Sequence, residues 1–304
     1  MKKLNKNIVI IGIVIIISGF FFSGSCLSYM RKEDKDFKDT PAWEISKAIY
    51  KQDVNRIKEI LKENSELLDC REPRFGMTLL FWAVGMDKYN SVETLLKCGA
   101  DPNQATIKGN STPVDLASGY LWNDYTASKD PKYVKLLLKY GADPNIAREA
   151  NKEAGIEAGT TPLMNSIGCG IEKTKALVEA GADINAKMIP SGRTAAWIAL
   201  SNHNPTTDYV RYAHYLIAVK KAKVNEVYYR IAPSDDPKDR LYLVNKLRNW
   251  VFEPGTEKYQ MKMEIIEEFA RQGVNYWETS IPQDALEHIK YLHPNDWEEY
   301  IKRY

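Results

Sequence analysis

A chain of 304 residues is long enough for one large domain or two ordinary ones. With 44% apolar and 27% charged residues it has a globular composition, which excludes an extended disordered chain. A formal net charge of +2 lacks the basic footprint that phosphate backbones demand, so nucleic acid is not expected as a partner.

The amino terminus is the most polarised segment. Lys2, Lys3 and Lys6 precede an apolar run from Ile8 to Phe22, and Ser23, Gly24 and Ser25 lead to Cys26. A basic start, an apolar stretch and small residues before a break form the pattern of an export signal over residues 1–25. The small-small-Cys ending resembles a bacterial lipoprotein signal, in which Cys26 would be lipidated. Ser23 stands where that motif usually has Leu. An uncleaved anchor is the alternative, because Asn7 to Met30 carry no charge and could span a bilayer as a helix. Both readings expect a protein of the bacterial cell envelope, attached to the membrane and facing outside the cytoplasm. Residues 26–41 contain RKEDKDFKD, a mixed-charge run that reads as a solvated tether.

From Trp43 to Asp69, Ile49, Val54, Ile57, Ile60 and Leu61 recur at helical spacing, as in a capping helical unit. Self-similarity then begins. LLKCGADPN (Leu95–Asn103), LLKYGADPN (Leu137–Asn145) and LVEAGADIN (Leu177–Asn185) end alike, with degenerate versions at KAKVN (Lys221–Asn225) and RQGVN (Arg271–Asn275). A second signature alternates with the first: Thr78-Leu79-Leu80, Thr112-Pro113-Val114, Thr161-Pro162-Leu163 and Thr194-Ala195-Ala196. Each Thr is placed to cap a helix, and Pro113 and Pro162 fall at N1, where the missing N–H costs nothing. Gly99, Gly141 and Gly181 follow the second helices, where a left-handed residue is needed.

These two signatures, alternating in phase, resemble the ankyrin repeat over 42–225. The resemblance implies an all-α solenoid of stacked helix–turn–helix units with short finger hairpins. Extra residues fall at Leu121–Pro131 and Asn202–Asp208, between first and second helices, and in the finger from Asn145 to Thr161. The histidine that usually ties neighbouring repeats together is replaced by Phe81, Asp115, Met164 and Trp197, so weak coupling between repeats is expected. In the family the concave face usually binds other proteins. Carried over by phase, that face would present Met86 and Tyr120 at the ends of first helices and Ile107, Lys108, Met188 and Ile189 on the fingers. Trp122 and Tyr125 would either form a second contact surface or fold back over their own repeat.

Residues 226–304 keep helical patterns and carry many aromatics, including Trp250, Trp277 and Trp297, which suits a divergent terminal cap. A dedicated aromatic binding patch is the alternative. Asp296 is placed to cap a last helix. No metal-ligand spacing, nucleophile elbow, phosphate loop or dinucleotide fingerprint occurs, so neither catalysis nor a cofactor is expected. Cys70, Cys98 and Cys169 read as small apolar fillers, and His214 as a packing residue. The expected function is a non-enzymatic protein-binding scaffold, with an immunity or inhibitor protein that neutralises a toxin as the alternative.

Overall fold

The computed structural model describes residues 36–122, 129–152, 155–202, 205–230, 232–233 and 235–304. Cys26, the export segment and Tyr125 lie outside them. The described chain is mostly helical. Its helices are α1 (Trp43–Lys51), α2 (Val54–Glu63), α3 (Leu79–Gly85), α4 (Tyr89–Lys97), α5 (Pro113–Ser118) and α6 (Lys132–Lys139). They continue with α7 (Pro162–Ser166), α8 (Ile171–Glu179), α9 (Ala195–Leu200) and α10 (Thr207–Ala213), the last running on as one π-helical stretch, His214–Val219. Then come α11 (Leu243–Leu247), α12 (Glu257–Arg271), α13 (Gln283–Leu292) and α14 (Trp297–Tyr300). A two-residue antiparallel pair joins β1 (Tyr228–Tyr229) to β2 (Arg240–Leu241).

The first helices start where the sequence places them. The hydroxyls of Thr78, Thr112, Thr161 and Thr194 accept from the backbone N–H of Phe81, Asp115, Met164 and Trp197. The second helices end as their composition demands: Gly99, Gly141 and Gly181 all have φ near +90°, a conformation without steric cost only for glycine. Ala100, Ala142 and Ala182 then donate back to Leu95, Leu137 and Leu177. Val274 repeats that bond to Phe269 at the end of α12.

Helices pack in two rows in chain order. One row runs α1, α3, α5, α7, α9, α11, each against the next. In the other, α2 packs on α4, and α6, α8, α10 and α12 follow one another. Helices caught between neighbours lose their exposed face, so every residue of α3 and of α5 is buried. Second helices bury one stripe, as with Val92, Leu95 and Leu96 on α4. One apolar core runs without a break from Phe37 to Tyr276. Ile289, Tyr300 and Tyr304 form a separate small cluster.

Four expectations need correction. The charged segment before α1 is not wholly solvated, because Phe37 is fully buried edge-on against Trp82 and Asp36 accepts from the Trp82 indole at 3.0 Å. Neighbouring repeats are bonded to one another even without those histidines. The Asn103 side chain donates to the Gly141 carbonyl and accepts from the Asp143 N–H, at 2.9 and 2.7 Å. Asn145 does the same to Gly181 and Asp183, and Asn185 accepts from Lys223. Trp122 does fold back, but over the preceding helix pair: its ring lies against Gly85 and 6.2 Å from that of Phe81. Asp296 precedes α14 without capping it, and its carboxylate faces His293 instead.

Candidate functional site

Between each second helix and the next first helix the chain makes a finger, and the fingers are tied side by side by backbone hydrogen bonds. Lys108 N–H donates to the Phe75 carbonyl (3.1 Å), Glu149 to Gly109 (3.2 Å), Ile189 to Ala158 (2.8 Å) and Tyr229 to Ser191 (3.0 Å). Five successive segments are thereby held in register as one surface. The approach is close: a Cβ at Gly159 would come within 2.5 Å of the Lys187 carbonyl oxygen. The first finger is further held by the buried Glu72, whose carboxylate accepts from the N–H groups of Arg74, Phe75 and Met77.

The finger residues picked from sequence reach solvent to different degrees. Ile107 is 70% and Ile189 65% exposed, and Lys108 is exposed beside them. Met188 is half-buried. Ile107 lies over Gly76 of the preceding finger, beside a cleft of about 260 Å³ lined by Arg71, Arg74, Phe75 and Lys108. The helix-end residues differ. Met86 is only 9% exposed and belongs to the core, because the returning Trp122 segment covers the end of α3; its expected surface role is withdrawn. Tyr120 is half-buried, and its hydroxyl donates to the Gly168 carbonyl at 3.3 Å, bridging the ends of α5 and α7.

Two polar centres were not found by reading the sequence. Asp115, in the first turn of α5, is fully buried. Its carboxylate accepts from Ser111 Oγ, from Arg148 Nε on the next finger and from Asn165 Nδ2 on α7, each at 2.5 Å. A carboxylate therefore supplies the inter-repeat tie at this junction. The second centre is cationic. Arg193, at the base of a finger, donates from Nη2 to the Arg230 carbonyl at 2.9 Å and sits 3.5 Å from Glu157. Lys246 on α11 lies 5.1 Å from the centre of the Trp197 ring, which stacks on Tyr228 at 4.9 Å. Burial, then the charges of Arg193 and Arg230, hold the Lys246 ammonium below its usual pKa. No single motif encodes this centre; only the 37-residue separation of Arg193 and Arg230, close to one repeat, hints at it.

Titratable groups elsewhere serve packing. Burial pushes the Cys169 thiol up, and Cys70, Cys98 and Cys169 are all free. His214 meets Glu264 at 2.6 Å, and His293 stacks on Tyr300. The aromatics of the carboxyl-terminal region are largely inside, with Trp250 and Tyr276 buried and Trp277 exposed. Among the described residues no helix is long and apolar enough to cross a membrane.

The sequence profile of the family described as Ankyrin repeat matches residues 75–107, which hold α3, α4 and the following finger as far as Ile107. The chain carries an ankyrin repeat. No curated protein matches it. Ankyrin repeats commonly mediate protein–protein interaction and are typically non-enzymatic modules, which fits a binding scaffold.

Proposed function

We propose that this chain is a non-enzymatic protein-binding scaffold, an ankyrin solenoid from its first helix pair to its divergent carboxyl-terminal cap. It is tethered at the bacterial cell envelope by a lipid on Cys26 or by a spanning amino-terminal helix. The observation that carries the binding reading is the hydrogen-bonded finger surface with Ile107 and Ile189 standing out of it. Isolated apolar side chains on a surface are ordinary, but two on tied fingers form a repeated feature outside the apolar core. The tether reading rests on the residues before Cys26 alone.

A photo-crosslinking amino acid at position 107 or 189 tests the surface, with the exposed Lys58 on α2 as control. A partner adduct of one mass at both finger positions and none at 58 is expected. Equal adducts at all three, or none, overturn the surface. If the captured protein is a toxin that this chain silences, the inhibitor reading replaces the general scaffold. For the tether, Cys26→Ser should release the protein from membranes or leave an uncleaved precursor. Unchanged membrane association and unchanged gel mobility would exclude the lipid and leave the spanning helix.

A further inference from the structure

We propose that Arg193, Arg230 and Lys246 form a carboxylate-binding site that takes an Asp or Glu side chain of the partner protein. The proposal rests on the protein-binding reading and gives the partner its chemistry.

Three cationic residues come together from three separate elements: Arg193 at the base of a finger, whose Nη2 donates to the backbone carbonyl of Arg230; Arg230 itself, the residue after β1; and Lys246 of α11, over the Trp197 ring that stacks on Tyr228, two residues before Arg230. Among the described residues, Glu157 is the one carboxylate within ion-pair distance of any of them, at 3.5 Å from Arg193 Nη1. Among the described residues Arg230 and Lys246 make no ion pair. Like charges held together raise the energy of the free protein, and an incoming anion turns that repulsion into attraction.

An independent observation points the same way. Arg193 Nε is buried and has no hydrogen-bond partner. A buried donor without an acceptor is costly, and a carboxylate brought against the guanidinium lowers that cost through its charge. The floor of the site is apolar. Trp197 and Tyr228 are both buried and stacked, and the Lys246 ammonium rests over the Trp197 face. Electrostatic attraction is stronger against such a low-dielectric wall than in open water.

The location fits the same reading. Arg193 closes the finger that displays Ile189, and Tyr229 is tied to that finger through Ser191. A partner lying across the fingers can therefore seat an apolar residue at Ile189 and an acidic one at Arg193. A nucleic acid is a poorer fit, because the chain carries a net charge of only +2 over 304 residues.

The test uses the full chain in detergent and a fluorescent hexaglutamate peptide at low ionic strength, read by anisotropy, with hexalysine as control. Hexaglutamate should bind, weaken with added salt, and lose at least about 10-fold in affinity in Arg193→Gln and Lys246→Met. Hexalysine should not bind. The melting temperature of Lys246→Met should stay level or rise, since the substitution removes a repelled charge and keeps a similar volume over Trp197. The site is overturned by any of four results: no hexaglutamate binding to the wild type, equal binding to the variants, a lower melting temperature for Lys246→Met, or displacement by inorganic phosphate at equal charge. The scaffold reading is tested separately. A partner that crosslinks at positions 107 and 189 and is held equally well by Lys246→Met overturns this site and keeps the scaffold.

Discussion

Lys173 shows how one side chain can be decisive without belonging to any motif. Its ammonium is buried and donates to the carbonyls of Ala117 and Gly119, both at 2.8 Å, where α5 ends. The negative end of a helix favours a cation there, yet burial wins and holds the pKa at about 8, against 10.5 for an ordinary lysine. Between those two values the unfolded chain binds more protons than the folded one, so stability rises with pH across that window. Lys173 can contribute at most about 3 kcal/mol of that gain. Urea midpoints from pH 7.5 to 10 should therefore climb in the wild type and climb less in Lys173→Met; parallel curves would show that Lys173 does not titrate there. The buried phenols of Tyr228 and Tyr276, pushed up to about 12 by burial, act in the opposite sense. They stay protonated in the fold above pH 10, and the stability they add is lost as pH rises towards 12. Reading the sequence found the four capping threonines because a cap acts three residues away. It missed Asp115 and Lys173, whose partners other than Ser111 lie 33 to 56 residues off and are neighbours only after folding.

Helices here are short. Many have fewer than ten residues, too few to persist alone, so packing and inter-repeat bonds sustain them. Each repeat-closing asparagine is such a bond. Asn145 links the turn after α6 to the turn after α8 by one bond given and one accepted. Asn145→Ala leaves a carbonyl and an N–H without that partner at an exposed turn where water replaces part of the loss. A cost of about 1–2 kcal/mol in urea denaturation is expected, with the helical signal of the native protein unchanged. A cost below about 0.3 kcal/mol would show that packing alone joins these repeats. The order and phase of the helices were legible because Thr, Gly and the apolar stripes each have a local cause. The burial of Met86 was not. It depends on where the extra residues after α5 go, and Trp122 returns onto Gly85 because glycine leaves room for its ring.

At the scale of the molecule the fingers are one surface and the helix rows its support. Ile107 and Ile189 are separated from the core by their own exposure, so replacing both with Ser should change stability by no more than about 0.5 kcal/mol. The same double variant should abolish the crosslinked adduct when the probe is moved to the adjacent Lys108. A drop in melting temperature of several degrees would mean instead that these side chains hold the fingers together. Phase alone located the exposed fingers, since loop positions are fixed by the repeat. It could not locate the cationic centre, which forms where a degenerate finger, a first helix and a β pair meet. The long finger between Asn145 and Thr161 carries a last consequence. Its bonds to neighbours are made at Glu149 and Ala158, while Asn151 and Ile156 close on each other with two bonds of 2.9 Å. Extra chain is thus pinched off beyond the registered part. Doubling such a loop costs only about 0.6 kcal/mol in closure entropy. A foreign peptide epitope spliced in between Asn151 and Ile156 would accordingly be displayed beside the fingers while the spacing of every repeat stayed as it is.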